Sequence, residues 1–122
     1  MQKQGNRLNN LLQGEIWMAN LSPVVGHEQA NTRPCLVISD NRFNRSPAGL
    51  VVIVPLTSQK KNVSWHLEIM PPEGGLLRTS YIICEQIRTI SIERITPQYL
   101  GNVDATTLEA VKRQIKILLT IF

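Results

Sequence analysis

The chain has 122 residues, of which 43% are hydrophobic and 18% charged, with a formal net charge of +4. This length fits one domain rather than two, and it buries roughly two-thirds of the unfolded surface, so the core needs neither disulfides nor metal. Ordinary hydrophobicity with modest charge excludes a disordered or collagen-like chain, and every apolar run falls far below the ~20 residues of a membrane-spanning helix.

The first segment, MQKQGNRLNNLLQ (1–13), is polar and lacks the apolar stretch of a secretory signal. It reads as an N-terminal extension of a cytoplasmic protein, preceding a single domain over 14–122. GEIWMANL (14–21) predicts a first strand, and SPVVGHEQANTR (22–33) a loop rich in turn formers. PCLVISD (34–40) is a nearly continuous apolar run, consistent with a buried strand. NRFNRSPAG (41–49) is a polar excursion before a second such run, LVVIVPLT (50–57). A basic loop, SQKKNVS (58–64), leads into extended WHLEI (65–69), and MPPEGG (70–75) is a loop because Pro and Gly interrupt regular elements. SYIICEQIRTI (80–90) is the longest strand candidate, and QYLGNV (98–103) a short last one. Short strands separated by turn signals indicate a small β-barrel or a strongly bent sheet. The period then changes. Leu108, Val111, Ile115 and Leu118 make an apolar helix stripe, with Lys112, Arg113 and Lys116 on the polar side. Asp104 or Thr106 can cap this helix, and Thr106 with Glu109 has capping-box spacing.

The charge is one-sided. Residues 1–61 carry seven basic and three acidic side chains, whereas residues 62–122 carry six of each. No acidic residue lies between Arg42 and Lys61. A basic face of this kind suits a polyanion, although charge alone serves solubility equally well.

Few residues could carry chemistry. His27 and His66 are the only histidines, and neither has a neighbour at metal-ligand spacing. His66, within WHLEI, reads as a packed strand histidine. Cys35 and Cys84 sit in apolar runs without CxxC spacing, so buried reduced thiols are preferred to a disulfide or a metal site. No nucleophile elbow and no phosphate-cradling glycine motif is present. What remains is polar chemistry at strand ends. Arg33 closes the first long loop and is held extended by Pro34, while Thr57 and Ser58 end the third apolar run. Glu85, Gln86 and Arg88 interrupt the 81–87 run, an odd place for polar groups in a buried strand. Simple alternation puts Gln86 and Arg88 on the face of Ile82 and Cys84. An arginine and a hydroxyl converging on one pocket could hold a phosphate.

The segments GEIWMANLSPVVGHEQANTRPCLVIS, VPLTS, HLEI and EQIRTIS, in this order, resemble the MazF/PemK family of toxin endoribonucleases. The likeness runs from Gly14 to the C-terminal helix. It implies an SH3-like barrel with a C-terminal α-helix, mainly β with α, working as a homodimer without a cofactor or metal. It implies cleavage of single-stranded RNA at short motifs, giving a 2′,3′-cyclic phosphate and a 5′-hydroxyl. The family's catalytic arginine falls on Arg33 and its catalytic threonine on Thr57. Glu28 and Gln29, with neighbouring His27, fall in a loop that gates and contacts RNA. Ser58, Lys60 and Lys61 follow the catalytic threonine, and Gln86 and Arg88 fall near the site. The family gives its arginine both acid and base duties, although a guanidinium is a poor base at neutral pH. The resemblance also implies a MazE-like antitoxin whose acidic and apolar tail fills the RNA groove or dimer interface.

One departure stands out. A glycine common after Glu-Gln is replaced by Asn31, the next most tolerant residue for left-handed backbone. Three rivals compete with the ribonuclease. A CcdB-like, gyrase-directed toxin would end in Trp-Gly-Ile, whereas this chain ends LLTIF. A non-catalytic SH3-like module would bind nucleic acid without scission. An inactive remnant fits poorly with an intact Arg33 and Thr57.

Overall fold

A computed structural model describes residues 10–23, 25–28 and 31–120. Seven strands make one antiparallel sheet: β1 (Glu15–Asn20), β2 (Thr32–Val37), β3 (Leu50–Thr57), β4 (His66–Ile69), β5 (Ser80–Ile83), β6 (Arg88–Ser91) and β7 (Ile95–Asn102). Their order is β4-β5-β3-β2-β1-β7, with β6 also paired to β3. A single-turn helix, α1 (Asn41–Asn44), fills the polar excursion, and α2 (Ala105–Leu119) follows the sheet.

The continuous apolar runs have a structural cause. Alternation along β1, β2 and β3 sends Trp17, Ala19, Cys35, Val37, Val51 and Ile53 to one core, and Ile16, Leu36, Val54 and Leu56 to another. Both faces of these strands are therefore covered, and neither can be polar. Val111 is fully buried in the second core, where Leu108 and Ile115 pack beside it. The C-terminal helix thus covers the sheet face expected of it. Asp104 caps it, accepting a hydrogen bond from the Thr107 N–H at 2.8 Å, so Thr106 and Glu109 form no capping box. Buried Glu15 accepts from the Trp17 indole N–H and from the Leu12 N–H, each at 3.0 Å, which makes the acidic residue of GEIW a structural acceptor.

Residues 80–90 are not one strand. β5 pairs with β3 through Leu56–Ile82, and β6 pairs with the same edge through Ile53–Arg88. Moving between these pairs, the β3 side advances three residues and the partner six. The three surplus residues, Cys84–Gln86, coil into a 3-10 turn that lifts Glu85 and Gln86 off the sheet. That is why polar side chains interrupt an apolar run, and the face-sharing expected of Gln86 and Arg88 with Ile82 and Cys84 fails across the turn.

His66 is packed, as expected of it. Its ring is 7% exposed, and its Nε2 lies 2.7 Å from Glu85 Oε2. Cys35 and Cys84 are free and buried. Burial pushes both thiols up to about 12, against the opposing charges of Arg33 and Arg88 at Cys35, and with Glu85 adding to it at Cys84. Asn31 has φ of 64°, the left-handed conformation anticipated where a glycine is common. Its carbonyl accepts from the Leu21 N–H at 3.0 Å, closing the base of the first loop. Among the described residues, no helix is long and apolar enough to cross a membrane.

Candidate active site

The site lies where β2 and β3 end together. Their pairing ends with Cys35 opposite Pro55, and Arg33 and Thr57 each lie two residues beyond that pair. Both residues line one groove, which brings guanidinium and hydroxyl to the same space. Arg33 is half-buried, and its Nη1 donates to the Leu56 carbonyl at 3.3 Å, one residue before Thr57. Thr57 is buried, and its Oγ1 accepts from the Gln59 N–H at 3.2 Å. That bond engages a lone pair and leaves the hydroxyl proton to donate elsewhere.

These two residues line a groove of about 690 Å³ with Met18, Ser58, Gln59, Lys61, Leu77 and Arg78. Its lining holds three cations, Arg33, Lys61 and Arg78, and no carboxylate. A space with converging guanidinium, hydroxyl and ammonium donors is suited to a phosphodiester. Among the described residues, no three His, Cys, Asp or Glu side chains gather as metal ligands.

The other expected RNA contacts divide. Ser58 and Lys61 belong to the groove, whereas Lys60 is exposed outside its lining. Glu28, Gln86 and Arg88 instead line a second, smaller pocket of about 190 Å³ with Leu21, Pro55, Glu85 and Ile87. This pocket is where the lifted turn meets the first loop. Gln86 Nε2 donates to the His27 carbonyl at 3.2 Å, and Arg88 Nη1 to the Leu21 carbonyl at 3.4 Å. Arg94 Nη1 adds bonds to the Asn20 and Ser22 carbonyls at 3.1 and 2.6 Å. The segment after β5 thus holds the first loop by its backbone. His27 is exposed and meets Gln86 through its carbonyl, while Gln29 lies outside the described residues.

Sequence reasoning passed over Met18, Gln59, Leu77 and Arg78. The last two follow the MPPEGG loop (70–75), in a stretch with no Pro or Gly signal of its own. Gly74 and Gly75 both adopt positive φ, and a Cβ on Gly75 would fall 1.8 Å from the Leu100 carbonyl oxygen. This close backbone approach to β7 fixes where Leu76–Arg78 can run.

Residues 12–119 match the family described as PemK-like, MazF-like toxin of type II toxin-antitoxin system. Endoribonuclease EndoA of Bacillus subtilis (strain 168) is 38% identical over 109 residues, covering 88% of this chain and 93% of that protein. Endoribonuclease PemK of Escherichia coli is 33% identical over 115 residues, covering 93% and 86%. Among solved structures, MazF from Deinococcus radiodurans aligns with a TM-score of 0.76 at 26% identity, covering 89% of this chain and 94% of that one. A MazE-MazF structure from the same organism gives 0.74 at 25% identity, covering 93% and 98%.

Proposed function

Because the chain belongs to the PemK-like, MazF-like toxins of type II toxin–antitoxin systems, and is an endoribonuclease on that ground, we propose that it cuts single-stranded RNA at short motifs without metal. The observation that carries this is the joint placement of Arg33 and Thr57 in a carboxylate-free groove. In the proposed step the ribose 2′-hydroxyl loses its proton and its oxygen bonds to the adjacent phosphorus. The bond from phosphorus to the 5′-oxygen breaks, and that oxygen takes up a proton. The products are a 2′,3′-cyclic phosphate and a 5′-hydroxyl, with no water consumed. Charge grows on the non-bridging oxygens in the transition state, where the Arg33 guanidinium and the Thr57 hydroxyl donate. Each such donor is typically worth about 100-fold or more in rate. A guanidinium is a poor base, so stabilising this charge is the role assigned to Arg33.

Ser58 and Lys61 extend the groove for the flanking backbone, with Lys60 beside them at its rim. Glu28, Gln29, Gln86 and Arg88, with His27, contribute through the first loop and the pocket beneath it. Residues 14–122 form the toxin domain in this reading, with Leu11 buried against it and the Gln13 side chain bonded to the Ile38 carbonyl at 2.7 Å. The working form is a homodimer in the cytoplasm. A MazE-like antitoxin with an acidic, apolar tail neutralises it, and the three groove cations suit such a tail.

The test is to incubate purified, antitoxin-free protein with a long single-stranded RNA in EDTA and map the 5′ ends. The reading expects cuts at a recurring short motif with 5′-hydroxyl ends. It also expects their loss in Arg33→Ala and Thr57→Ala. Intact RNA from the folded wild-type protein would overturn it and favour a binding module.

A further inference from the structure

Leu77 is 97% exposed, on a chain segment held at both ends. Before it, Leu76 is buried in the second core and Gly75 lies against the Leu100 carbonyl. After it, Ser80 is buried, and its hydroxyl donates to the Arg78 carbonyl at 3.1 Å. Glu73, at the start of the same turn, accepts from the Asp104 N–H at 3.1 Å and ties the segment to the helix cap. The backbone is thus fixed while the Leu77 and Arg78 side chains are displayed. The Arg78 guanidinium has no hydrogen-bond or ion-pair partner among the described residues. Neither side chain serves the core, and both line the groove of Arg33 and Thr57.

Topology sets their place in that groove. β3 lies between β2 and β5, and Thr57 pairs with Tyr81 of β5. Arg33 lies on the β2 side of Thr57, and Leu77 and Arg78 lie in the segment that runs from Gly75, against β7, into β5. A second cation carried to the same groove by a different segment suits the backbone flanking the scissile phosphate.

Resting on the reading that this groove takes RNA, we propose that Leu77 and Arg78 form a second substrate wall. Leu77 covers the face of an unstacked base, and the Arg78 guanidinium binds a phosphate neighbouring the scissile one. Single-stranded RNA offers both features together, a splayed base and an accessible backbone.

The experiment measures binding of a single-stranded RNA across a salt series. It uses the Thr57→Ala background, which removes a catalytic donor but keeps the wall. Adding Arg78→Gln is expected to weaken binding about tenfold and to lower the salt slope by about 0.7, the value of one lost phosphate contact on a single strand. Adding Leu77→Ser is expected to weaken binding severalfold and leave the salt slope unchanged. In the Thr57-intact enzyme, both substitutions should act mainly on KM. Affinity and slope equal to the parent in both variants would overturn the proposal. A wild-type protein that leaves RNA intact, while Arg78→Gln still weakens binding, would remove the ribonuclease reading and leave the wall standing.

Discussion

The closeness of Gly75 to β7 makes a quantitative prediction for Gly75→Ala. Two costs apply. The first is conformational, because φ of +69° is unfavourable for an L side chain by about 1 kcal/mol. The second is steric, because the new Cβ would sit 1.8 Å from the Leu100 oxygen and 2.6 Å from its carbonyl carbon. Non-bonded carbon contacts settle near ~3.5 Å, so the two backbones must part by more than about 1 Å. The obstacle is main chain, which cannot rotate aside as a side chain can. Overpacking of this kind costs a further ~2 kcal/mol. Gly49 supplies the control, with a φ of +68° and nothing within 4 Å of its Cβ position. Gly49→Ala therefore carries the conformational cost alone. At about 4 °C per kcal/mol for a domain of this size, the expected drops in Tm are ~4 °C for Gly49→Ala and ~12 °C for Gly75→Ala. Calorimetric melts of both variants check this. Gly75→Ala should also raise KM for RNA, since the displaced segment carries Leu77 and Arg78. Equal losses of stability in the two variants would refute the reasoning.

Other consequences follow from single contacts. Asp104→Ala removes the cap of α2 and should cost about 1 kcal/mol, read as a lower denaturant midpoint at unchanged slope. Arg94→Ala removes two bonds to the first loop and should speed hydrogen exchange at its base, around Leu21, while leaving the β3 amides protected. Cys35 titrates near 12 when folded but near 9 when unfolded, so the unfolded state alone loses this proton between those values. Its contribution to stability is intact below about pH 9 and is lost as pH rises toward 12. At pH 10 the loss is on the order of 1 kcal/mol, and Cys35→Ala should narrow the drop in stability between pH 8 and pH 10 by about that much.

Legibility in the sequence followed from how local each cause was. LVVIVPLT could be assigned as a strand to its last residue because both of its faces are buried, which leaves an unmistakable apolar run. The helix stripe of Leu108, Val111 and Ile115 was equally plain, since its period is set by one covered face. The break at Cys84–Gln86 was not legible. No Gly or Pro marks it, and its cause is a register slip against β3 that only the pairing reveals. Arg33 and Thr57 were legible as strand-end polar groups, yet their meeting depends on the β2–β3 register, which no local signal reports. Charge counting pointed to the first half of the chain, but the groove draws Arg78 from the half whose charges balance. The gathering of three cations is a property of strand order rather than of sequence distance. Gln86 and Arg88 were expected near Arg33 and Thr57, and Glu28 in a loop that contacts RNA; all three line a second, smaller pocket.

The central claim is that Arg33 and Thr57 act on one phosphate as a unit. It is tested most directly by the single-turnover cleavage rates of Arg33→Ala, Thr57→Ala and the double variant on one RNA that the wild-type protein cuts. The account predicts a loss of about 100-fold or more in each single variant, and a double variant little slower than the worse single, because residues acting together lose their effect together. A single variant cutting within about twofold of wild type, or losses that multiply in the double variant, would contradict it.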